Sequence, residues 1–348
     1  MALSTRGRTL VSVLVVVVLA AGAFVGWSMF TRQPGETLTQ AVNPFDDSPP
    51  VCALTGQEAR GEGLAGRRAL AVKIENSPES RPQAGLDQAD IVFEQEAEGG
   101  ISRFIAVYQC QNANRLGPIR SARPVDPLIL QQFGRVLFVH AGSVQAVINA
   151  IERAGIQDIN CNFREDVCPR DPTRTAPHDV FTSTKDLYAA GGRKTDAPEP
   201  LFTFEEDLDR AGTKRGREIH LEFSPVANVF WSYDPSEDVY LRSHDTTPHA
   251  LEDGTQVSAR NVVVMLVRRV DTNIVDAAGT PVPSFKVSGQ GRAYVFRDGR
   301  VIQGQWRRPN PEETLTLVTR QGDEIPLAPG TTWVELFPTD APAPLEFS

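Results

Sequence analysis

The sequence predicts a chain of the mixed α+β or α/β class. An N-terminal transmembrane helix precedes an α/β domain with a mixed sheet, and a mainly β C-terminal domain follows. Three observations predict this order: an uncharged apolar run near the N-terminus, short strands alternating with helical periodicity in the first half, and closely spaced strands with hairpin turns in the second. The predicted segments are a cytoplasmic tail at 1–9, an anchor at 10–30, a tether at 31–51, an α/β domain at 52–205 and a β-rich domain at 206–348.

The N-terminal apolar segment is long enough to cross a bilayer. It runs without a charge from Leu10 to Phe30, and roughly 20 apolar residues at about 1.5 Å each span a hydrocarbon core of about 30 Å. Arg6 and Arg8 precede it, which favours a cytoplasmic N-terminus. A secretory signal peptide cleaved at the small residues Ala21–Ala23 is the alternative. Both interpretations place the body on the extracytoplasmic side, as a single-pass membrane protein if the segment is retained.

Cysteine usage agrees with export. The chain has four cysteines, and an even number in an exported chain suggests disulfides, although four cysteines allow three pairings. Cys161 and Cys168 flank a short loop, so we pair them, which leaves Cys52 with Cys110. A zinc site is disfavoured because the sequence contains no CxxC motif and its histidines do not cluster with the cysteines. No metal or other cofactor is expected.

The charge balance restricts the partners. A formal net charge of −9 disfavours general binding of nucleic acid, which requires a basic face. It also disfavours broad adhesion to an anionic membrane surface. The predicted contact with the membrane is therefore the Leu10–Phe30 segment itself.

The first half of the body shows strands and helices in alternation. Ser143–Gly155 has helical apolar spacing, with Ser143 as the expected N-cap and Gly155 as the stop. Pro124–Gly134 is a second predicted helix. The predicted strands are short β-branched and aromatic runs bounded by turn residues. They are Ala69–Ile74, Ile91–Glu94, Phe104–Gln109 and Val136–His140.

The second half contains strands and hairpin signals only. Asp298-Gly299 between alternating runs predicts a tight hairpin over 292–302, and Gln321-Gly322 predicts another. The other predicted strands are Asn228–Tyr233, Val239–Arg242, Asn261–Val267, Leu315–Thr319, Glu324–Leu327 and Thr332–Phe337.

The stretch from Lys73 to Asp126 carries the candidate ligand-binding residues. Arginines, carboxylates and an asparagine stand there at strand ends beside Gly and Pro, where loops on a rigid sheet commonly bind ligands. Arg120 and Arg123 are spaced to clamp a carboxylate or phosphate through forked hydrogen bonds. Alternatively, the acids pair with the arginines and staple the loops together. The candidates, including one serine beyond the stretch, are Glu75, Asn76, Arg81, Arg103, Arg120, Ser121, Arg123 and Ser143.

Four residues are candidates for acid–base chemistry. His140 ends a predicted strand and His178 lies in the motif Ala-Pro-His-Asp; a histidine titrates near neutral pH. Glu94 and Glu98 are general-acid candidates if an apolar wall buries them. Ser143 would be a nucleophile only if a histidine lay within hydrogen-bond reach, and its role as a helix cap explains it equally.

Long motifs then identify a family resemblance. AVKIENSPESRPQAGLDQADIVFE, EGGISRF, RLGPIRSARPVD and APHDVFTS resemble the first part of the YerB-like lipoprotein family. NVVVM, GRAYVFRDGRVIQGQW and TTWVELFP look like its separate C-terminal part. The family is known as domain of unknown function 3048 with a C-terminal companion, so the resemblance implies a bacterial envelope location and two parts, and no activity. Lipoprotein members carry a lipidated cysteine after the signal segment, and this chain has none there.

The leading hypothesis is a cell-envelope protein that binds an anionic or glycan-like ligand. Peptidoglycan or another envelope polymer is the expected partner, because a tether of about 20 residues keeps the body near the membrane. The alternatives are a hydrolase or lyase acting on the cell wall, and a non-catalytic protein-interaction subunit.

Overall fold

The computed structural model describes residues 49–192, 195–276 and 279–348. Residues 49–348 form one compact unit. The predicted tail and the anchor over Leu10–Phe30 lie outside the described residues, as does most of the tether. Among the residues that are described, no helix is long and apolar enough to span a membrane.

Strands dominate the described chain. Three α-helices are present in it: α1 (Asp126–Leu130), α2 (Gln145–Arg153) and α3 (Thr184–Gly191). Short 3-10 helices cover Pro78–Ser80, Leu86–Gln88, Glu98–Gly100, Gln131–Phe133 and Cys161–Phe163. The strands are β1 (Leu70–Glu75), β2 (Ile91–Glu96), β3 (Ser102–Tyr108), β4 (Leu137–His140), β5 (Gln157–Asn160), β6 (Lys214–Arg215), β7 (Glu218–Ser224), β8 (Ala227–Asp234), β9 (Val239–His244), β10 (Thr247–Pro248), β11 (Ser258–Ala259), β12 (Asn261–Val267), β13 (Arg269–Val270), β14 (Ser284–Phe285), β15 (Gly289–Arg297), β16 (Arg300–Arg308), β17 (Thr316–Val318), β18 (Thr332–Pro338) and β19 (Glu346–Phe347).

One large mixed sheet runs through both halves of the sequence. Its strand order is β17-β16-β15-β12-β18-β2-β3-β1-β4-β5, with β6 added to β16. Strand β18, near the C-terminus, pairs parallel with β2, and β1, β4 and β5 are also mutually parallel. A smaller antiparallel sheet, β10-β9-β8-β7-β19 with β11 on β9, comes from the second half alone. The predicted mixed sheet and mainly β C-terminal region are thus confirmed, whereas the boundary near residue 205 stays a prediction.

The two faces of the large sheet pack against different layers. Alternate residues of β1, such as Leu70 and Val72, pack with the small sheet in one core cluster. Their neighbours Ala69 and Ala71 belong to a second cluster with α1 and α2. This follows from the two-residue period of a strand, which sends successive side chains to opposite faces. Because both faces are covered, β1 is buried along its whole length.

Most predicted elements lie within a few residues of their expected bounds, and the β12 prediction matches fully. The Asp298-Gly299 hairpin is confirmed: both residues have positive φ, as a tight turn with the right twist requires. Both disulfides, Cys52–Cys110 and Cys161–Cys168, are confirmed as paired.

Two local predictions were wrong. Ser143 does not cap α2; the cap position is Val144, without a side-chain bond, and the Ser143 hydroxyl donates to the Ala122 carbonyl instead, at 2.8 Å. The segment predicted as strand Glu324–Leu327 holds only isolated bridges to Val318 and Phe204.

The predicted helix over Pro124–Gly134 is confirmed as helical: α1 is followed directly by the 3-10 helix Gln131–Phe133, which ends at Gly134.

Candidate functional site

A groove lies where three parallel strands end. Strands β1, β4 and β5 point the same way, so their carboxyl ends meet at one edge of the sheet, where ligands of open α/β sheets commonly bind. Antiparallel β3 begins at that edge and places Arg103 opposite Glu75 of β1. The groove, which we call the arginine groove, has a volume of about 510 Å³.

The arginine groove brings together five of the residues predicted to bind a ligand. They are Arg103, Arg120, Ser121, Arg123 and Ser143. The segment Ile119–Arg123 is held to the sheet because the Arg120 amide donates to the Lys73 carbonyl at 2.9 Å. The Ala141 amide donates to the Arg120 carbonyl at 3.0 Å, which joins this segment to the loop after β4.

Glu98 contacts two of the arginines. Its carboxylate accepts from the Arg123 guanidinium and lies 3.4 Å from Nη2 of Arg103. Arg103 makes one hydrogen bond within the described chain, from Nη1 to the Ser121 carbonyl at 3.3 Å, and its buried Nε has no partner there. Burial, followed by the nearby Arg123 charge, lowers the pKa of Arg103 to about 9. This guanidinium is therefore buried with most of its donors unused.

Glu75 forms an ion pair with the third arginine, Arg120. One of its oxygens accepts from Nε of Arg120 at 2.8 Å, and the other lies 2.7 Å from Nδ1 of His178. The Arg120 side chain is 24 % exposed, and its two Nη groups have no hydrogen-bond partner in the part of the chain that is described. The forked end of Arg120 is thus available to a ligand, while its stem is fixed.

The groove combines three guanidinium groups with three carboxylates. Glu75 and Glu98 contact the arginines directly, and Asp276 is a further residue of the lining. The predicted stapling of loops by acid–arginine pairs is therefore present, yet the two Nη groups of Arg120 have no hydrogen-bond partner in the described chain. This partly exposed fork suits an anion, because charge-assisted bonds to a guanidinium fork are among the stronger ones.

Part of the groove lining was not predicted. Asn160, Asn162 and Phe163 belong to it, and Phe163 is 83 % exposed. The Asn160 side chain accepts from the amides of Gly142 and Asn162, at 3.0 and 3.2 Å, and so joins the two loops. The signal in the sequence was an aromatic residue inside the short Cys161–Cys168 loop.

Three other predicted residues lie in a different place, an internal network between the two sheets. Glu94 accepts two bonds of 2.8 Å from Nη2 of Arg242, and both side chains are fully buried. Ser102 donates to Glu94 and accepts from Asn76, at 2.5 and 2.7 Å. Arg81 donates to the Asn76 side chain at 3.2 Å.

The internal network also contains partners that the sequence did not single out. Trp231 donates to Glu335 at 2.8 Å, and His249 lies 2.8 Å from Nη1 of Arg242. Burial, reinforced by the Glu94 charge, raises the pKa of Glu335 well above its ordinary value. Burial, followed by the Arg242 charge, lowers the pKa of His249 well below its ordinary value. Both shifts favour the neutral forms of these groups beside the Glu94–Arg242 ion pair.

The two candidate histidines occupy separate positions. His140 is buried at the end of β4, with Nδ1 3.1 Å from the Gly142 carbonyl and Nε2 3.0 Å from Asp158. His178 lies on the far side of Glu75 from Arg120, and its Nε2 has no partner among the described residues. No group of three or more metal-ligating side chains occurs in the described ranges.

Comparison with known proteins places these features in a family. Residues 54–197 match the N-terminal domain of the family described as "Protein of unknown function (DUF3048)". Residues 219–334 match the C-terminal domain of the same family. A Bacillus subtilis (strain 168) protein described as "Putative lipoprotein YerB" is 29% identical over 294 residues, covering 82% of this chain and 85% of its own. A crystal structure of YerB protein from Bacillus subtilis superposes with a TM-score of 0.73 at 26% identity, covering 85% of this chain and 99% of that one. The chain belongs to the DUF3048 family and carries its N-terminal and C-terminal domains in that order.

Proposed function

We propose that this chain is a membrane-anchored protein of the bacterial cell envelope whose outward-facing body binds an anionic, glycan-like polymer in the arginine groove. The location is supported by the apolar segment Leu10–Phe30 after two arginines, by two disulfides, and by a relative described as a lipoprotein. No cysteine follows the apolar segment, so a retained helix, rather than a lipid, is the anchor.

The observation that carries the binding role is the convergence of Arg103, Arg120 and Arg123 in one groove, where the fork of Arg120 is open. The Arg120 side chain is partly exposed, and its two Nη groups have no hydrogen-bond partner in the described chain. Peptidoglycan is the first polymer to test, since a tether of about 20 residues keeps the groove near the membrane.

Co-sedimentation of the full-length protein, held in detergent, with purified peptidoglycan sacculi tests the proposal. Wild-type protein is expected in the pellet, and release by salt is expected because the contact is ionic. Arg120→Gln should lower the bound fraction about tenfold, in line with loss of a charge-assisted pair. Arg135→Gln is the matched control, because Arg135 is 74 % exposed and does not line the groove. Equal binding by both variants would reject the proposal.

One observation favours a second candidate, an acid–base reaction on the same polymer. The Glu75 carboxylate orients His178 through Nδ1 and leaves Nε2 unpartnered within the described chain, the arrangement of a general base. Incubating sacculi with the protein and reading the soluble products by mass spectrometry tests it. Products that persist with His178→Gln would exclude His178 as the base.

A further inference from the structure

Phe163 is the most exposed large apolar side chain of the described residues, and it lines the same groove as the arginines. Its exposed fraction of 83 % means that nearly its whole ring face meets solvent. An exposed ring of this size is unfavourable in water, because its apolar surface stays hydrated. The ring therefore offers an apolar contact to a ligand that enters the groove.

The position of Phe163 is fixed by covalent and polar bonds. It ends the 3-10 turn Cys161–Phe163, inside the loop closed by the Cys161–Cys168 disulfide. Asn160 holds the start of this turn by accepting from the Asn162 amide, and the same oxygen accepts from the Gly142 amide in the loop after β4. The loop that carries Phe163 is thus tied to a second loop of the groove, and Phe163 lines that groove together with the arginines.

An exposed aromatic ring and a guanidinium fork in one groove favour a ligand that has both an apolar face and a negative charge. The faces of a sugar ring carry C–H groups with partial positive charge, which pack on the negative face of an aromatic ring. The planar guanidinium fork matches a carboxylate, and Glu98 already presents a carboxylate to Arg103 and Arg123 within this protein.

We infer that the arginine groove selects acidic sugars, with the sugar ring on Phe163 and its carboxylate on Arg120 and Arg103. This inference rests on the proposed function and names its ligand class. Two sources supply such a unit: a muramic acid residue, whose lactyl group bears the carboxylate, and a uronic acid residue. Both present a ring and a carboxylate within one monosaccharide.

Calorimetry on the full-length protein in detergent compares four probes. They are a muramic-acid disaccharide, a diglucuronate, the neutral disaccharide chitobiose and a glycerol-phosphate oligomer. At least one of the two acidic disaccharides is expected to bind, and it identifies the source. Chitobiose should bind at least about tenfold more weakly, since it lacks the carboxylate.

The variants test the ring directly. Phe163→Ala should weaken the acidic disaccharide about tenfold, and Phe163→Trp should retain its affinity. Val51→Ala is the matched control, because Val51 is also exposed and does not line the groove. Since Phe163 is exposed, its replacement leaves the core intact, and a binding loss reports on the ligand.

Two results would overturn the inference while leaving the proposed function standing. One is binding of the glycerol-phosphate oligomer at least as tightly as the acidic disaccharides. The other is an unchanged affinity in Phe163→Ala where Arg120→Gln has lost binding. Absence of binding by every anionic probe, together with no binding to sacculi, would reject the proposed function itself.

Discussion

Two clusters of arginine and glutamate lie on opposite faces of the same sheet, and they differ in how far their side chains are exposed to solvent. In the internal network, Arg242 and Glu94 are both fully buried and meet through two bonds of 2.8 Å. In the arginine groove, Arg120 is partly exposed with a free fork, and Arg103 is buried with a single hydrogen bond in the described chain. The first cluster links the two sheets, whereas the second leaves a partly exposed guanidinium fork, to which the proposed function assigns an anionic ligand.

The difference follows from the two-residue period of β2 and β3. Glu94 lies on the face of β2 that meets the small sheet, together with Val92, and the adjacent Phe93 lies on the other face. On β3, Phe104 packs with the small sheet, whereas its neighbour Ile105 packs on the helical side and Arg103 shares that side. Polar residues that are close in the sequence therefore belong to two different sites, because alternate residues of a strand point to opposite faces of the sheet.

Breaking the internal network should have the largest effect. Arg242→Met would leave Glu94 buried without a cation, and such a loss costs about 3–5 kcal/mol of the free energy of unfolding. Urea denaturation at pH 7 measures it. Arg269→Met is the control, since Arg269 pairs with Glu96 in a partly exposed bridge that should contribute about 1 kcal/mol or less. Equal losses of stability in the two variants would show that the buried Arg242–Glu94 pair stabilises the fold no more than the partly exposed Arg269–Glu96 bridge.

In the groove, removing an arginine should cost binding rather than stability. Arg103→Met is expected to lower the affinity for the anionic ligand about 10- to 100-fold. Its free energy of unfolding should stay the same or rise, because burying this weakly bonded cation is itself unfavourable, as its lowered pKa of about 9 indicates. Calorimetry and urea denaturation on the same preparation check both quantities. A less stable variant with unchanged affinity would show that Arg103 holds the loops together and does not bind the ligand.

Glu335 of the internal network should make the free energy of unfolding depend on pH. Its pKa is raised in the folded state, so the folded protein keeps this proton while the unfolded chain releases it above about pH 4.5. Its contribution to stability is therefore full below that pH and falls as pH rises, by up to about 1.4 kcal/mol per pH unit. Glu335→Gln removes this slope.

The Glu335 test is a difference measurement between wild type and variant from pH 4.5 to 7. His249 acts with the opposite sign, because its lowered pKa costs stability as pH falls below 6.5. Subtracting the two curves leaves the Glu335 term. A difference that is flat across this window would show that Glu335 is ionised in the folded protein.

The smallest expected effect concerns Glu98. Glu98→Gln keeps the side-chain shape, removes the resident carboxylate from Arg103 and Arg123, and makes the groove more positive by one charge. Affinity for an acidic disaccharide should rise about threefold, with a steeper salt dependence. Titrations at two salt concentrations measure both. A fall in affinity would show that Glu98 positions the arginines for the ligand.

The sequence alone predicted strands β1 to β4 but not β5, together with the tight hairpin at Asp298-Gly299 and the two disulfide pairs. These depend on local chemistry: β-branched runs, residues that tolerate positive φ, and a short loop between two cysteines. It also predicted five residues of the groove, because they share one segment or follow predicted strands. It did not predict that Ser143 bonds to Ala122, since that carbonyl becomes a neighbour only in the folded chain.

The tertiary structure decided which polar residues meet. The parallel pairing of β18 with β2 places Glu335 of the C-terminal part beside Glu94, 241 positions earlier in the chain, and β9 supplies Arg242 from the second sheet. No local pattern encodes such a contact. Phe163 likewise became a candidate only when the ends of β4 and β5 set its loop against the arginines. Composition and periodicity define each strand, whereas pairing order and side-chain parity determine which strand ends form the site.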